Sequence, residues 1–151
     1  MATIHEICKQ YGIENYTIND DGSIDVDGHV GLYNKGLTEL PLRFNKVTGY
    51  FHCGGNKLTS LKGCPRWVDV NFACSRNQLT SLEFSPDYVG GDFWCEWNRL
   101  TDNLCDTEIM GNFYTSLKQD GLIFDGNKAT NYNEWRKLYK RKKILDDIFN
   151  M

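Results

Sequence analysis

Apolar residues in the middle of the chain recur in a fixed long frame rather than with a helical period. Phe51-His52-Cys53-Gly54-Gly55-Asn56-Lys57-Leu58-Thr59-Ser60-Leu61 lies 21 residues before Phe72-Ala73-Cys74-Ser75-Arg76-Asn77-Gln78-Leu79-Thr80-Ser81-Leu82. One further step reaches Phe93-Trp94-Cys95-Glu96-Trp97-Asn98-Arg99-Leu100-Thr101. Val47, Val68 and Val89 share a register upstream, as do Pro65 and Pro86. Val30, Leu32, Leu37 and Leu40 fit the frame one step earlier, with Lys35 where asparagine is due. Repetition at this length is the signature of a solenoid.

Within each repeat the order is apolar-x-apolar-x-x-Asn-x-Leu-x-x-Leu. The alternation predicts a very short strand with Phe and Cys facing inward. The next coil then supplies a parallel strand about 4.8 Å away. Asn56, Asn77 and Asn98 follow their strands, where the turn leaves backbone groups unpaired. A stacked asparagine ladder would satisfy them, and the two leucines would fill the coil.

These residues resemble the leucine-rich repeat family, whose consensus runs L-x-L-x-x-N-x-L. Asn77-Gln78-Leu79-Thr80-Ser81-Leu82 followed by Pro86 resembles its short bacterial subtype. Gly63-Cys64-Pro65 and Val89-Gly90-Gly91-Asp92-Phe93 are similar to small repeat proteins encoded by bacteriophages. The likeness covers residues 16–104 and departs at Lys35 and Asn103, where the array is expected to end. It implies an α/β repeat: a short leucine-rich-repeat solenoid with a parallel sheet on its concave face and helical caps at both ends. It also implies a task inside an infected bacterium, in the host cytoplasm, such as binding and inhibiting a host enzyme or defence factor.

A solenoid needs capped ends, because a bare terminal coil exposes its core. Residues 1–25 are expected to form the first cap. Thr3 to Tyr11 reads as a helix with Ile4, Ile7 and Cys8 inward, Thr3 as N-cap and Glu6 in capping-box spacing. Gly12 ends it, and Asp20-Asp21-Gly22-Ser23 predicts a hairpin between Tyr16-Thr17-Ile18 and Ile24-Asp25-Val26. The repeats proper occupy residues 26–104, and residues 105–151 form the second cap. Thr107 to Gln119 reads as helical. Residues 122–130 repeat the strand-Asn pattern as a degenerate fifth coil, with Asn127 in the ladder position. Glu134 to Phe149 reads as an amphipathic helix with Trp135, Leu138, Lys142, Leu145 and Phe149 on one face.

Composition narrows the function classes. The chain has 151 residues, enough for one domain, with 17 basic and 20 acidic residues and a net charge of −3. That balance argues against a general binder of nucleic acid or membrane surfaces. Met1-Ala2-Thr3-Ile4-His5-Glu6 has neither a basic leader nor an apolar run, so a cytoplasmic chain is expected, with its six cysteines as thiols.

Cys53, Cys74 and Cys95 share one register but lack the fourth ligand and close pairing that zinc prefers, so they are expected to be apolar filler. Cys8, Cys64 and Cys105 are read the same way. Asp20-Asp21-Gly22 and Asp25-Val26-Asp27-Gly28 look like calcium loops, but the EF-hand frame from Asp25 puts Gly36 where a carboxylate is needed. No nucleophile constellation, phosphate loop or zinc motif is present, so neither enzyme activity, metal nor cofactor is expected. Arg136-Lys137 and Lys140-Arg141-Lys142-Lys143 form the one basic block, which makes nucleic-acid or nucleotide binding the alternative function.

The outward strand positions are where binding is expected. Across the coils they read Tyr50, Asn71, Asp92; His52, Ala73, Trp94; Gly54, Ser75, Glu96; and Gly55, Arg76, Trp97, with Tyr33 extending the surface. Trp, Tyr and Arg dominate interface hot spots. The predicted partner-binding set is Tyr33, Tyr50, His52, Arg76, Asp92, Trp94, Glu96 and Trp97. The competing expectation is that the C-terminal segment folds back over the two tryptophans.

Overall fold

A computed structural model describes residues 1–150. The chain begins with α1 (Ile4–Gln10) and an antiparallel hairpin of β1 (Tyr16–Ile18) and β2 (Ile24–Val26). The body follows as β3 (Val30–Gly31), β4 (Phe44–Val47), β5 (Phe51–His52), β6 (Trp67–Val68), β7 (Phe72–Ala73), β8 (Tyr88–Val89), β9 (Phe93–Trp94), β10 (Glu108–Ile109) and β11 (Phe113–Tyr114). It closes with a hairpin of β12 (Phe124–Asp125) and β13 (Lys128–Ala129) and with α2 (Tyr132–Phe149). The result is a β-solenoid of about four turns.

Each coil contributes to two sheets rather than one. Sheet A runs β1-β2-β4-β6-β8-β10, and sheet B runs β12-β13-β11-β9-β7-β5-β3. Pairing inside the body is parallel and in strict register: Val47 meets Val68 and Val68 meets Val89 in A, while Phe51 meets Phe72 and Phe72 meets Phe93 in B. Glycines at the corner between the sheets let successive backbones touch. A Cβ at Gly91 would sit 2.9 Å from the Val70 carbonyl oxygen.

The core is a set of columns running through the coils. Phe51, Phe72, Phe93 and Phe113 are sealed from solvent, with successive ring centroids 5.9, 5.1 and 5.3 Å apart. Cys53, Cys74 and Cys95 form the next column, and Leu58 with Leu79 and Leu61 with Leu82 fill the far side.

The asparagines form the predicted ladder. Asn77 Oδ1 accepts from Leu58 N at 3.0 Å, and its Nδ2 donates to the carbonyls of Cys53 (3.0 Å) and Cys74 (3.1 Å). Asn56 and Asn98 repeat this one coil to either side. Each shared carbonyl, Cys53 O and Cys74 O, thus receives amides from two successive rungs.

The C-terminal expectations need correction. Residues 107–119 are not helical; they carry β10 and β11, which continue both parallel sheets past Asn103. Ile109 and Phe113 are four residues apart, the spacing Val89 and Phe93 also have, and that spacing imitates a helix face. Asn103, fully buried, is satisfied by Thr115 Oγ1, the Leu117 carbonyl and Gln119. Residues 122–130 are no coil either, but the antiparallel hairpin β12–β13 laid on β11. Asn127 is no ladder rung; its Nδ2 donates to Glu96 Oε2.

Helix α2 packs through Tyr132, Trp135 and Tyr139, not through the predicted Leu138, Lys142, Leu145 and Phe149. Tyr132 stacks on Phe113 at 3.7 Å, so the helix supplies the last ring of the phenylalanine column. Beyond Tyr139 the helix is exposed, Phe149 at 82%. At the other end, α1 has the capping box between Thr3 and Glu6 and buries Cys8.

Candidate functional site

The outward face of sheet B carries aromatic rings stacked along the coil direction. Parallel in-register strands bring equivalent side chains about 4.8 Å apart, within the range of about 4.5–7 Å between the centroids of paired rings. Tyr33 and His52 stack at 4.9 Å with 20° between planes, and Trp94 stacks on Tyr114 at 3.7 Å and 3°. His29 and Tyr50 pair alongside at 4.1 Å. Between His52 and Trp94 the register holds only Ala73, which leaves a hollow of about 420 Å³ lined by Tyr50, His52, Asn71, Ala73, Ser75 and Trp94. Burial lowers the His52 pKa, so the ring is neutral at neutral pH and stacks without charge.

Arg76 and Trp97 sit at the turn that follows these strands. Both hold left-handed backbone, φ +57° each, in the register where Gly55 has +68°. Such a conformation disfavours any residue with a Cβ. Trp97 is nonetheless 56% exposed, and the Arg76 guanidinium carbon lies 5.9 Å from its ring centre. The Trp97 amide donates to Ser116 Oγ at 2.9 Å, which fixes the turn.

Two members of the predicted set are occupied elsewhere. Asp92 accepts from Asn112 N through Oδ1 at 2.8 Å, and its own amide donates to Asn71 Oδ1 at 2.8 Å. His29 Nδ1 accepts from Tyr50 N in the same manner, so this column is a second backbone ladder built from unlike residues. Glu96 takes the amide of Asn127 and forms no ion pair with Arg76. The hollow therefore gathers Tyr50, His52 and Trp94, Tyr33 extends its stack, and Arg76 with Trp97 forms a separate pair.

Tyr114 is absent from the predicted set because its coil lies outside the clean repeat; the same coil, not a folded-back tail, covers one face of Trp94. A further pair, Trp67 on Tyr88 at 4.0 Å, lies on the outside of sheet A, one residue before the Val68 and Val89 register.

The thiols offer no accessible nucleophile. Burial pushes Cys53 up to about 12 and Cys64, Cys74 and Cys95 well above the ordinary thiol value. Among the described residues no three His, Cys, Asp or Glu side chains are grouped to hold a metal ion. In the basic block, Lys140 pairs with Asp106 at 2.7 Å and Lys143 with Asp102 at 3.8 Å. The first pair is exposed and the second, with Asp102 half-buried, is held at long range, so each contributes little energy, but they turn part of that charge onto the protein's own acids.

Fold and face together define a β-solenoid repeat protein with an aromatic outer sheet. Compared with protein-family models, curated proteins and solved structures, the chain matches none.

Proposed function

We propose that the chain is a non-enzymatic protein-binding module whose partner seats on the outward face of sheet B. The observation that carries this is the Arg76–Trp97 pair. Two large side chains, one of them largely exposed, occupy left-handed positions that fit glycine better. A backbone cost kept at the surface is accounted for by what the side chains contact outside the molecule. Tyr50, His52 and Trp94 supply the adjoining aromatic surface.

The finer parts of the proposal come from the likeness of the repeats. The coils are of the short leucine-rich kind with this sheet as the concave face and helices capping both ends. The partner is a bacterial host protein met in the cytoplasm and inhibited by the contact.

Trp97→Gly separates binding from folding. Relief of the left-handed cost and the greater chain entropy of glycine are each about 1 kcal/mol and opposed, so the melting temperature is expected to stay within a few degrees. Loss of a hot-spot tryptophan weakens binding by about thirtyfold or more. Immobilised wild type should retain from bacterial lysate a protein that Trp97→Gly loses and that a Lys137/Arg141/Lys142→Ala variant keeps. Retention should persist from about 0.1 to about 0.5 M salt, where phosphate contacts would collapse. Capture unchanged by Trp97→Gly, or lost only with the lysines, would assign the binding to α2 and to nucleic-acid chemistry instead.

A further inference from the structure

The stack along sheet B has one missing rung. Rings occupy the outward position at His52, Trp94 and Tyr114; beyond His52 that position is Gly31, and the ring of Tyr33, two residues on, lies over it and stacks on His52. Ala73 is the one position in this register left with no ring in it or over it. His52 and Trp94 stand two strand spacings apart, about 9.6 Å. The ring separations on either side of the gap are 4.9 and 3.7 Å, so one more ring with similar spacings fills that interval.

We propose that the slot over Ala73 receives one aromatic side chain of the protein partner, sandwiched between the His52 imidazole and the Trp94 indole. The proposal rests on the protein-binding assignment above and names the chemistry of its anchor. The slot is prearranged: Tyr33 backs His52 and Tyr114 backs Trp94, so neither wall need reorder on binding. Asn71 commits its Oδ1 to the Asp92 amide, which leaves its side-chain NH2 at the rim to donate to a hydroxyl or carbonyl on the incoming residue.

The surroundings favour a side chain over a nucleobase. Asp92 and Glu96 lie on the same face, and no cation lines the hollow to neutralise a phosphate. An aromatic side chain brings no such charge, and it gains the stacking on both faces.

The test uses the intact protein and p-cresol, the ring of tyrosine, followed by NMR at His52 Cε1–H, the Ala73 methyl and Trp94 Nε1–H. Saturable upfield shifts at all three are expected, with 4-methylcyclohexanol at least about tenfold weaker, since its ring has no π-face. Ala73→Tyr should fill the rung: the melting temperature rises, and p-cresol no longer moves the His52 and Trp94 signals. It should also lose the captured protein, as Trp97→Gly does. Absence of p-cresol shifts, or equal shifts from the saturated alcohol, overturns the proposal. Tighter binding of adenosine monophosphate than of p-cresol overturns it in favour of a nucleobase.

The two assignments fail separately. If p-cresol does not bind but Trp97→Gly still loses its protein, the face binds partners without inserting a ring and only the slot falls. If p-cresol binds and neither variant loses a protein, the ring's source is no protein partner, and both fall.

Discussion

Raising the pH above 9 is expected to unfold the protein within about one to three pH units. In the unfolded chain the cysteines ionise near their ordinary value of 9.0, whereas in the folded chain burial holds Cys53 up to about 12 and Cys64, Cys74 and Cys95 well above the ordinary value. A pKa raised by folding leaves stability intact below the unfolded value. Above it the unfolded state sheds protons that the folded state keeps, so stability falls. Each thiol contributes a slope of about 1.4 kcal/mol per pH unit, and four give about 5.5 kcal/mol per unit. Against the roughly 5–15 kcal/mol by which domains are usually stable, that slope exhausts stability within about one to three units of pH. Circular dichroism followed from neutral pH upward measures it. A Cys53→Ala/Cys74→Ala variant should lower the slope by about half and separates the thiols from lysine and tyrosine ionisation. An unchanged slope in that variant would show that other groups govern alkaline unfolding.

The second large effect is Asn77→Leu. The substitution leaves Leu58 N–H buried with no acceptor and strips one of two donors from both Cys53 O and Cys74 O. An orphaned buried amide costs about 1–3 kcal/mol, and the lost bonds to the two carbonyls bring the total to about 3 kcal/mol or more. For a domain this long, that lowers the melting temperature by roughly 6–12 °C. Asn127→Leu, which breaks only a contact to Glu96, should cost under about 1 kcal/mol. Equal shifts from the two variants, read by scanning calorimetry, would remove the ladder from the account of stability.

The ladder and the phenylalanine column were legible because a position that meets its own copy one coil away must solve the same problem with the same residue. Phe51, Phe72 and Phe93 each fill one interior site, and Asn56, Asn77 and Asn98 each close one turn. The last coil was hidden by two changes. One residue is missing between Thr107 and Ile109 relative to Pro86 and Val89, and Thr115 and Lys118 stand in the cysteine and asparagine registers. Sheet A escaped notice because each of its coils repeats a single inward valine, Val47, Val68 or Val89, whereas Phe-x-Cys in sheet B repeats two inward positions and so shows alternation.

The outer face was legible in its residue types but not in its pairings. Alternation placed Trp94 and His52 outward, yet only the extra coil reveals that Tyr114 backs Trp94. The second ladder gave no sequence signal, because His29, Asn71 and Asp92 perform one backbone task with three different side chains.

Since each coil meets the next through the same two strands and the same asparagine, the body has no unique middle. A duplicate of residues 64–84 inserted after Phe84 would present to Ser85 the surface it already meets. Both sheets, the phenylalanine column and the ladder would lengthen by one rung, and both ends would stay as they are. Length in such a chain changes in whole steps, and the distance between the Tyr33–His52 and Trp94–Tyr114 pairs would change with it while each pair stayed intact. A single unequal recombination within the gene could thus refit the protein to a partner of another size, a change that a close-packed globular core would resist.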